Sequence, residues 1–261
     1  IEDLAEAFPL SVFPDTIGLR KDGREHLLPY GDMAFNAFGP RNELFERSFA
    51  NAQPVVQWIT EQCQRPALSP GGIGEQIYKA ADEGAITEDE AGLLVRSILT
   101  AGLDTTIFGI GAILYCFASF PEQWRVLREN SGLVRGAFEE ALRFISPVQT
   151  FMRTTTRSVE VDGVEIPEGH KVVLFLAAAN RDPRQWENPD RFDIRRKTFG
   201  HVGFGHGIHV CVGQMLARLE AQVLLTSLVE RVGSIQLIGK PKWRLNNTLH
   251  GLDSLPVRLV A

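Results

Sequence analysis

Cysteine is the residue type in this chain best able to bind a soft metal centre, and Cys211 lies in a setting that favours ligation. It follows FGHGIHV, residues 204–210, and precedes a segment with helical apolar spacing. Glycines at 203, 205 and 207 permit unusual backbone conformations and close approach to a flat ligand. The start of a helix stabilises thiolate, because its unpaired N–H groups and its dipole lower a thiol pKa. The alternatives are a small buried apolar cysteine and a phosphate-binding loop, which lacks the preceding strand and the usual spacing.

A second unusual group, Asp104-Thr105-Thr106, lies in the middle of the longest apolar segment. Short polar side chains compete with the helix backbone for hydrogen bonds, so such a run is costly unless it is satisfied or used. The small residues Ala101 and Gly102 leave a notch beside it. The alternative is a threonine hydroxyl bonded to its own i−4 carbonyl, which produces a kink without function.

Two further charged groups are candidates because of their position. Glu140 and Arg143 are three residues apart on a predicted helix, where such an ion pair is usually solvated and contributes a few tenths of a kcal/mol. Arg153 begins a predicted strand, where a lone arginine usually lies at the surface. Its guanidinium is nevertheless suited to bidentate binding of a carboxylate.

The order AGLDTT, Glu-x-x-Arg and Phe-x-x-Gly-x-His-x-Cys-x-Gly resembles the cytochrome P450 family. The resemblance implies that haem b is the cofactor and that Cys211 is the axial iron ligand. It also implies that a thiolate opposite dioxygen promotes O–O cleavage. The catalytic pair would be Asp104, supplying protons, and Thr105, supporting bound oxygen. The cofactor contacts that it implies are Ala101, Gly102, Arg153, Phe204, Gly205, His209 and Gly213. Glu140 and Arg143 would hold the loop before the cysteine, through Arg191.

Longer phrases, including FEEALRFISPVQTFMRTTTR and LLVRSILTAGLDTT, resemble the bacterial P450 subfamily that oxidises para-substituted benzoic acids, including O-demethylation of 4-methoxybenzoate. The resemblance implies a carboxylate site at Arg96, Ser97 and Thr100, and apolar walls at Phe35, Phe38, Val148 and Phe151. Ser97 and Thr105 share a helix face about 12 Å apart, which suits an aromatic acid. Arg96 points about 100° away from Ser97. Core packing is the alternative for Phe35 and Phe38.

The periodicity predicts a mainly α fold with small β-sheets. A capping box at Thr87 opens a long helix over 87–120, and a hairpin turns at Asp162-Gly163. The resemblance implies one partial P450 domain, 1–261, from about helix E of the family to the carboxyl terminus, with the haem-thiolate loop at 203–213. Residue 1 is Ile, and helical spacing begins there without a cap, so we expect further chain before it.

Composition and charge exclude several classes of protein. The net charge is −5 and the basic residues are scattered, so nucleic acid is not an expected partner. No uninterrupted apolar stretch is long enough for a membrane span and no signal pattern opens the chain, so we expect a cytoplasmic protein. Three widely spaced cysteines predict no disulfide framework.

The expected partners are a small aromatic carboxylate, dioxygen and an electron donor. The chain has no flavin or iron-sulfur motif. The resemblance therefore implies an iron-sulfur ferredoxin with its reductase, and the basic run 195–197 and Arg218 are candidates for its docking. Three alternatives remain: a haem-thiolate gas sensor, a peroxide-using haem enzyme, and a helical scaffold with an incidental cysteine.

Overall fold

The computed structural model describes residues 1–261 and consists mainly of α-helices. A short π-helical turn at Glu2–Glu6 leads into the first of them. The eleven helices are α1 Ala7–Ile17, α2 Leu27–Ala37, α3 Glu43–Phe49, α4 Ala52–Gln62, α5 Ile73–Asp82, α6 Glu88–Ala101, α7 Asp104–Ser119, α8 Pro121–Glu129, α9 Val134–Ile145, α10 Leu176–Ala179 and α11 Gln214–Arg231.

Eight short strands form four antiparallel pairs. The pairs are β1 Thr150–Thr154 with β4 Lys171–Phe175, β2 Val159–Val161 with β3 Val164–Ile166, β5 Ser234–Leu237 with β8 Val257–Val260, and β6 Lys242–Trp243 with β7 Leu252–Ser254. Asp162 and Gly163 both have positive φ, as a two-residue hairpin turn requires. The predicted fold class, mainly α with small β-sheets, is confirmed.

The segment 87–120, predicted as one helix, is divided into α6 and α7. The capping box opens it as expected, with Thr87 and Glu90 each accepting from the other's amide. The interruption at 102–103 has a side-chain cause. Thr105 Oγ1 donates to the Ala101 carbonyl at 2.7 Å and Thr106 Oγ1 to the Gly102 carbonyl at 3.2 Å, while the Thr106 amide turns to Leu103. Hydroxyls thus replace amides at two carbonyls, and the helix bends there.

Helix α7 joins two apolar cores. Ile107 and Phe108 pack with α1, α2, α4, α5 and α6, whereas its later residues, such as Phe117, pack with α8, α9 and α11. The α6–α7 segment, Glu88–Ser119, is also long and apolar enough to cross a membrane by length and composition alone. Within this fold, however, 67% of its most apolar window is buried, as in the core helix of a globular protein.

Candidate active site

The loop before α11 holds Cys211 by its backbone. Gly205 and Gly207 have positive φ, and a Cβ on Gly205 would lie 2.6 Å from the His209 carbonyl oxygen. Glycine at 205 is therefore required by the turn itself. The Cys211 amide donates to the Phe204 carbonyl at 2.8 Å, which closes the loop. A Cβ on Gly213 would meet only the Cys211 sulfur, at 3.8 Å, so this side of the loop is open.

The Cys211 thiol lies just before the helix, since α11 begins at Gln214. Shielding by the loop raises the pKa of the thiol, whereas the Gly213 and Gln214 N–H groups and the Arg218 charge act to lower it. The amides thus act on the sulfur as predicted. The expected net lowering of the pKa is wrong for this structure, because shielding outweighs the amides and the charge.

The base of the loop is a buried ion pair. Glu140 and Arg143 side chains are fully buried and joined by two hydrogen bonds of 2.7 and 2.9 Å. Arg143 also donates to the carbonyls of Asn180, Pro189 and Arg191, all in the irregular segment after α10. These bonds tie α9 to the segment that leads to the cysteine.

The arginine side chain that completes this network is Arg196, whereas the sequence predicts Arg191. The Arg191 guanidinium is largely exposed and only its carbonyl contributes, whereas the Arg196 Nε donates to Glu140 at 3.1 Å and its side chain is only 13% exposed. Both arginines follow Pro189, so spacing alone could not distinguish them. Of the predicted docking residues, Arg195 and Lys197 are exposed, but Arg196 and Arg218 are engaged inside the fold.

Asp104 and Thr105 begin α7 and face different surroundings. Asp104 is 4% exposed and its carboxylate packs on α2, where a Cβ on Gly31 would lie 1.7 Å from Oδ2. It lines a cavity of about 490 Å³ together with Asp32 and Arg244. Thr105, about 100° further round the helix, is partly exposed and donates to Ala101. This is the hydrogen bond that the alternative interpretation predicts.

Burial raises the pKa of Asp104 to about 7. The Arg244 charge opposes this effect, and the carboxylates of Asp32 and Glu6 add to it. None of these neighbours is close to Asp104 in sequence, so the sequence alone could not identify them. The carboxyl is thus able to hold and release a proton near neutral pH.

Asp104→Asn is expected to be more stable than the unsubstituted chain at high pH. The unfolded carboxyl loses its proton near its ordinary pKa of 3.8, whereas the folded one keeps it until about pH 7. Stability of the unsubstituted chain therefore falls as pH rises through this window, by at most about 4 kcal/mol, and asparagine removes the loss. Urea unfolding of both proteins at pH 4.5 and pH 8 measures this difference in the free energy of unfolding. A difference in stability between the two proteins that does not change with pH would contradict the prediction.

The predicted notch between α6 and α7 is only partly open. Ala101 is exposed, but a Cβ on Gly102 would lie 2.3 Å from the Phe13 ring of α1. Gly102 is therefore needed for the packing of α1 against α6. The space beside it is filled by Phe13, so the predicted contact of Gly102 with a cofactor is not possible on this side of the helix. His209 is exposed in the short 3-10 turn Gly207–His209, beside the open side of the loop.

The predicted carboxylate residues of α6 diverge. Ser97 is exposed and its hydroxyl donates to Leu93, whereas Thr100 donates to the Arg96 carbonyl at 2.8 Å and lies 3.3 Å from the Tyr30 hydroxyl. The Arg96 guanidinium points to α4, where it donates to Thr60 at 2.6 Å. This direction matches the 100° offset noted above, and Tyr30 is a polar neighbour that the sequence did not reveal.

The predicted aromatic wall joins α2 to β1. Phe38 is 51% exposed and its ring lies 6.0 Å from Phe35 and 6.2 Å from Phe151, and Arg153 stacks over Phe151 at 5.8 Å. Phe35 is buried in the core, as its alternative interpretation predicts. Val148 is partly buried beside the same strand.

The comparisons with known proteins identify one family. Residues 72–233 match the cytochrome P450 family model. Cytochrome p450 CYP199A2 of Rhodopseudomonas palustris is 58% identical over 99% of this chain and 63% of that protein. Cytochrome P450 107B1 of Saccharopolyspora erythraea is 36% identical over 99% of this chain and 64% of its own length. The structure of cytochrome P450 CREJ superposes with a TM-score of 0.91 at 30% identity, covering all of this chain and 67% of that one.

The chain belongs to the cytochrome P450 family. It spans somewhat less than two thirds of the length of these two curated relatives. Members of the family bind haem b, and the residues present fit it. No group of three His, Cys, Asp or Glu side chains is placed to hold a metal ion. Cys211 is the one exposed cysteine, so it can act as a lone thiolate ligand once a metal displaces its proton, which suits iron whose other ligands a porphyrin supplies.

Proposed function

We propose that the protein is a haem-thiolate monooxygenase that inserts one oxygen atom of dioxygen into a small aromatic acid. Para-substituted benzoates such as 4-methoxybenzoate, which would undergo O-demethylation, are the proposed substrates. The observation that carries the proposal is the Cys211 loop, in which the backbone is closed around a single thiol that receives two amides. Family membership and the 58% identical relative support it.

Each half of the site has a defined part in this chemistry. Haem, when bound, supplies the iron at which dioxygen is reduced and activated. Cys211 would bind that iron, and the Gly213 and Gln214 amides would stabilise the thiolate charge. On α7, Asp104 holds a proton at its carboxyl near neutral pH and lines a polar cavity together with Asp32. Thr105, whose hydroxyl hydrogen goes to Ala101, offers its oxygen lone pairs as acceptors on the exposed side of the helix.

The substrate class rests on two groups of residues. Ser97 and Thr100 on α6 lie about two turns and one turn before Asp104, respectively. Their hydroxyls donate to the carbonyls of Leu93 and Arg96, and each can rotate to donate to a carboxylate instead. Phe38 and Phe151 pair across α2 and β1 and can hold a flat ring. A related structure, cytochrome P450 CREJ, was solved with (4-ethylphenyl) dihydrogen phosphate, which is also a para-substituted aromatic anion.

The remaining assignments follow from the same proposal. We treat residues 1–261 as one partial P450 domain in a cytoplasmic protein that receives electrons from an iron-sulfur ferredoxin and its reductase. The exposed Arg195 and Lys197 remain as candidate docking charges. The buried Asp104 with its raised pKa favours monooxygenation over gas sensing, because a sensor has no need of a proton donor.

The test uses the full-length protein. The reduced carbon-monoxide complex is expected to show the red-shifted thiolate Soret band, and 4-methoxybenzoate is expected to shift the ferric spin state and yield formaldehyde with a ferredoxin system. Methyl 4-methoxybenzoate, which lacks the charge, is the matched control and should bind more weakly. Absence of the red-shifted band would remove the monooxygenase proposal, and equal binding of acid and ester would remove the carboxylate site.

A further inference from the structure

Behind the cysteine loop, three elements meet in a partly buried charged cluster formed by Glu139, His201, Gln214 and Arg218. The Arg218 guanidinium donates to Glu139 through Nε and to Gln214 at 2.6 Å. His201 Nε2 lies 2.7 Å from the other Glu139 oxygen. The side chains of Glu139, His201 and Arg218 are 13%, 7% and 19% exposed, so solvent screens them little.

The hydrogen bonds assign the roles within this cluster. The Gly203 amide donates to His201 Nδ1 at 3.1 Å, so the ring hydrogen lies on Nε2 and is donated to Glu139. Although burial acts to raise it, the pKa of Glu139 is lowered by its bonds from His201 and Arg218. The cluster is therefore a carboxylate held between an imidazole N–H and a guanidinium.

Arg218 connects this cluster to the cysteine through Phe204. Its Cζ lies 4.4 Å from the centre of the Phe204 ring, while the Phe204 carbonyl accepts the Cys211 amide. A guanidinium stacked on a ring has a restricted position. The Arg218 charge is thus held against the residue whose carbonyl fixes the Cys211 backbone, and Glu139 on α9 pairs with Arg218.

We propose that Arg218 and Glu139 are positioning residues that set the electrostatic potential at the Cys211 sulfur, and with it the reduction potential of the iron that Cys211 binds. This inference rests on the proposed function. A positive charge beside the thiolate favours the reduced, more negative state of the iron centre, and a negative charge opposes it. Glu139 partly cancels Arg218, so the two residues act in opposite directions.

The test measures the reduction potential of the full-length haem protein. Arg218→Met keeps the apolar stem and removes the charge, so the potential is expected to become more negative. Glu139→Gln keeps the hydrogen-bonding shape and leaves Arg218 uncompensated, so the potential is expected to become more positive. Arg218→Lys retains the charge and should restore most of the unsubstituted value.

Arg181→Met is the matched control. Arg181 also stacks on a phenylalanine, with Cζ 3.9 Å from the Phe144 ring, and pairs with Asp190, but it lies outside the cysteine loop. It should leave the potential unchanged. Shifts of the same sign in Arg218→Met and Glu139→Gln would overturn the proposal, because general loosening of the loop moves both variants alike.

The spectrum of each variant separates the possible failures. If the unsubstituted protein lacks the red-shifted carbon-monoxide band, the proposed function and this inference fall together. If that band is present but the charge variants leave the potential unchanged, only this inference is overturned. If Arg218→Met misfolds and loses the band, the test depends on the other two variants. The reduction potential of Glu139→Gln must then become more positive, while that of Arg218→Lys stays near the unsubstituted value.

Discussion

Replacing Cys211 by alanine is expected to abolish the red-shifted Soret band of the reduced carbon-monoxide complex and to reduce monooxygenation to background. The physical reason is that no other side chain in the loop can supply a thiolate, and the two amides at this position have no other sulfur to stabilise. Haem content and the carbon-monoxide difference spectrum of the full-length protein measure the first effect. Product formation with a ferredoxin system measures the second.

The other two cysteines provide matched controls. Cys63 and Cys116 are buried in apolar surroundings, and burial raises the pKa of each thiol. Their replacement by alanine removes a small buried side chain and is expected to lower stability while leaving the band in place. Retention of the red-shifted band in Cys211→Ala, or its loss in Cys116→Ala in a protein that still folds, would contradict the assignment of the iron ligand.

Glu140→Ala is expected to destabilise the fold by about 3–5 kcal/mol, because it leaves the Arg143 charge buried without its partner. The loss extends beyond the pair, since Glu140 also accepts from the Asp193 amide and from Arg196. The free energy of unfolding from urea titration measures the change. Because this network ties down the segment that leads to the cysteine, the variant is also expected to bind haem poorly.

The exposed pair Arg181–Asp190 is the control for this prediction. Asp190 is 89% exposed, so Asp190→Ala should cost less than about 1 kcal/mol. A cost for Glu140→Ala as small as that of the surface control would mean that the buried pair does not hold the irregular segment in place.

The sequence predicted most where a pattern is local. The capping box at Thr87 and the Asp162-Gly163 hairpin follow from short-range chemistry, and the structure has both. The cysteine loop is local in the same sense, because its glycines and its closing amide bond lie within nine residues. The family motifs therefore predicted candidate site residues that lie within single segments.

Contacts between residues that are distant in the chain could not be predicted from the sequence. Gly102 seemed to leave a notch because nothing nearby reveals that Phe13 fills it. Arg196 rather than the Arg191 side chain reaches Glu140, since the irregular segment has no periodicity from which side-chain direction could be predicted. The surroundings that raise the pKa of Asp104 come from residues 6, 32 and 244, which only the tertiary fold brings together.

Thr105 lies at the interruption between α6 and α7 and contributes to the shape of that junction. Its hydroxyl is one of two that bond carbonyls at the interruption, so this residue combines the proposed role in oxygen chemistry with a structural one. Removing this hydroxyl leaves the Ala101 carbonyl without its hydrogen bond, so Thr105→Ala is expected to disturb the junction at which Asp104 begins α7. Lost turnover in Thr105→Ala therefore mixes two origins, whereas serine, which keeps the hydroxyl, isolates the contribution of the methyl group.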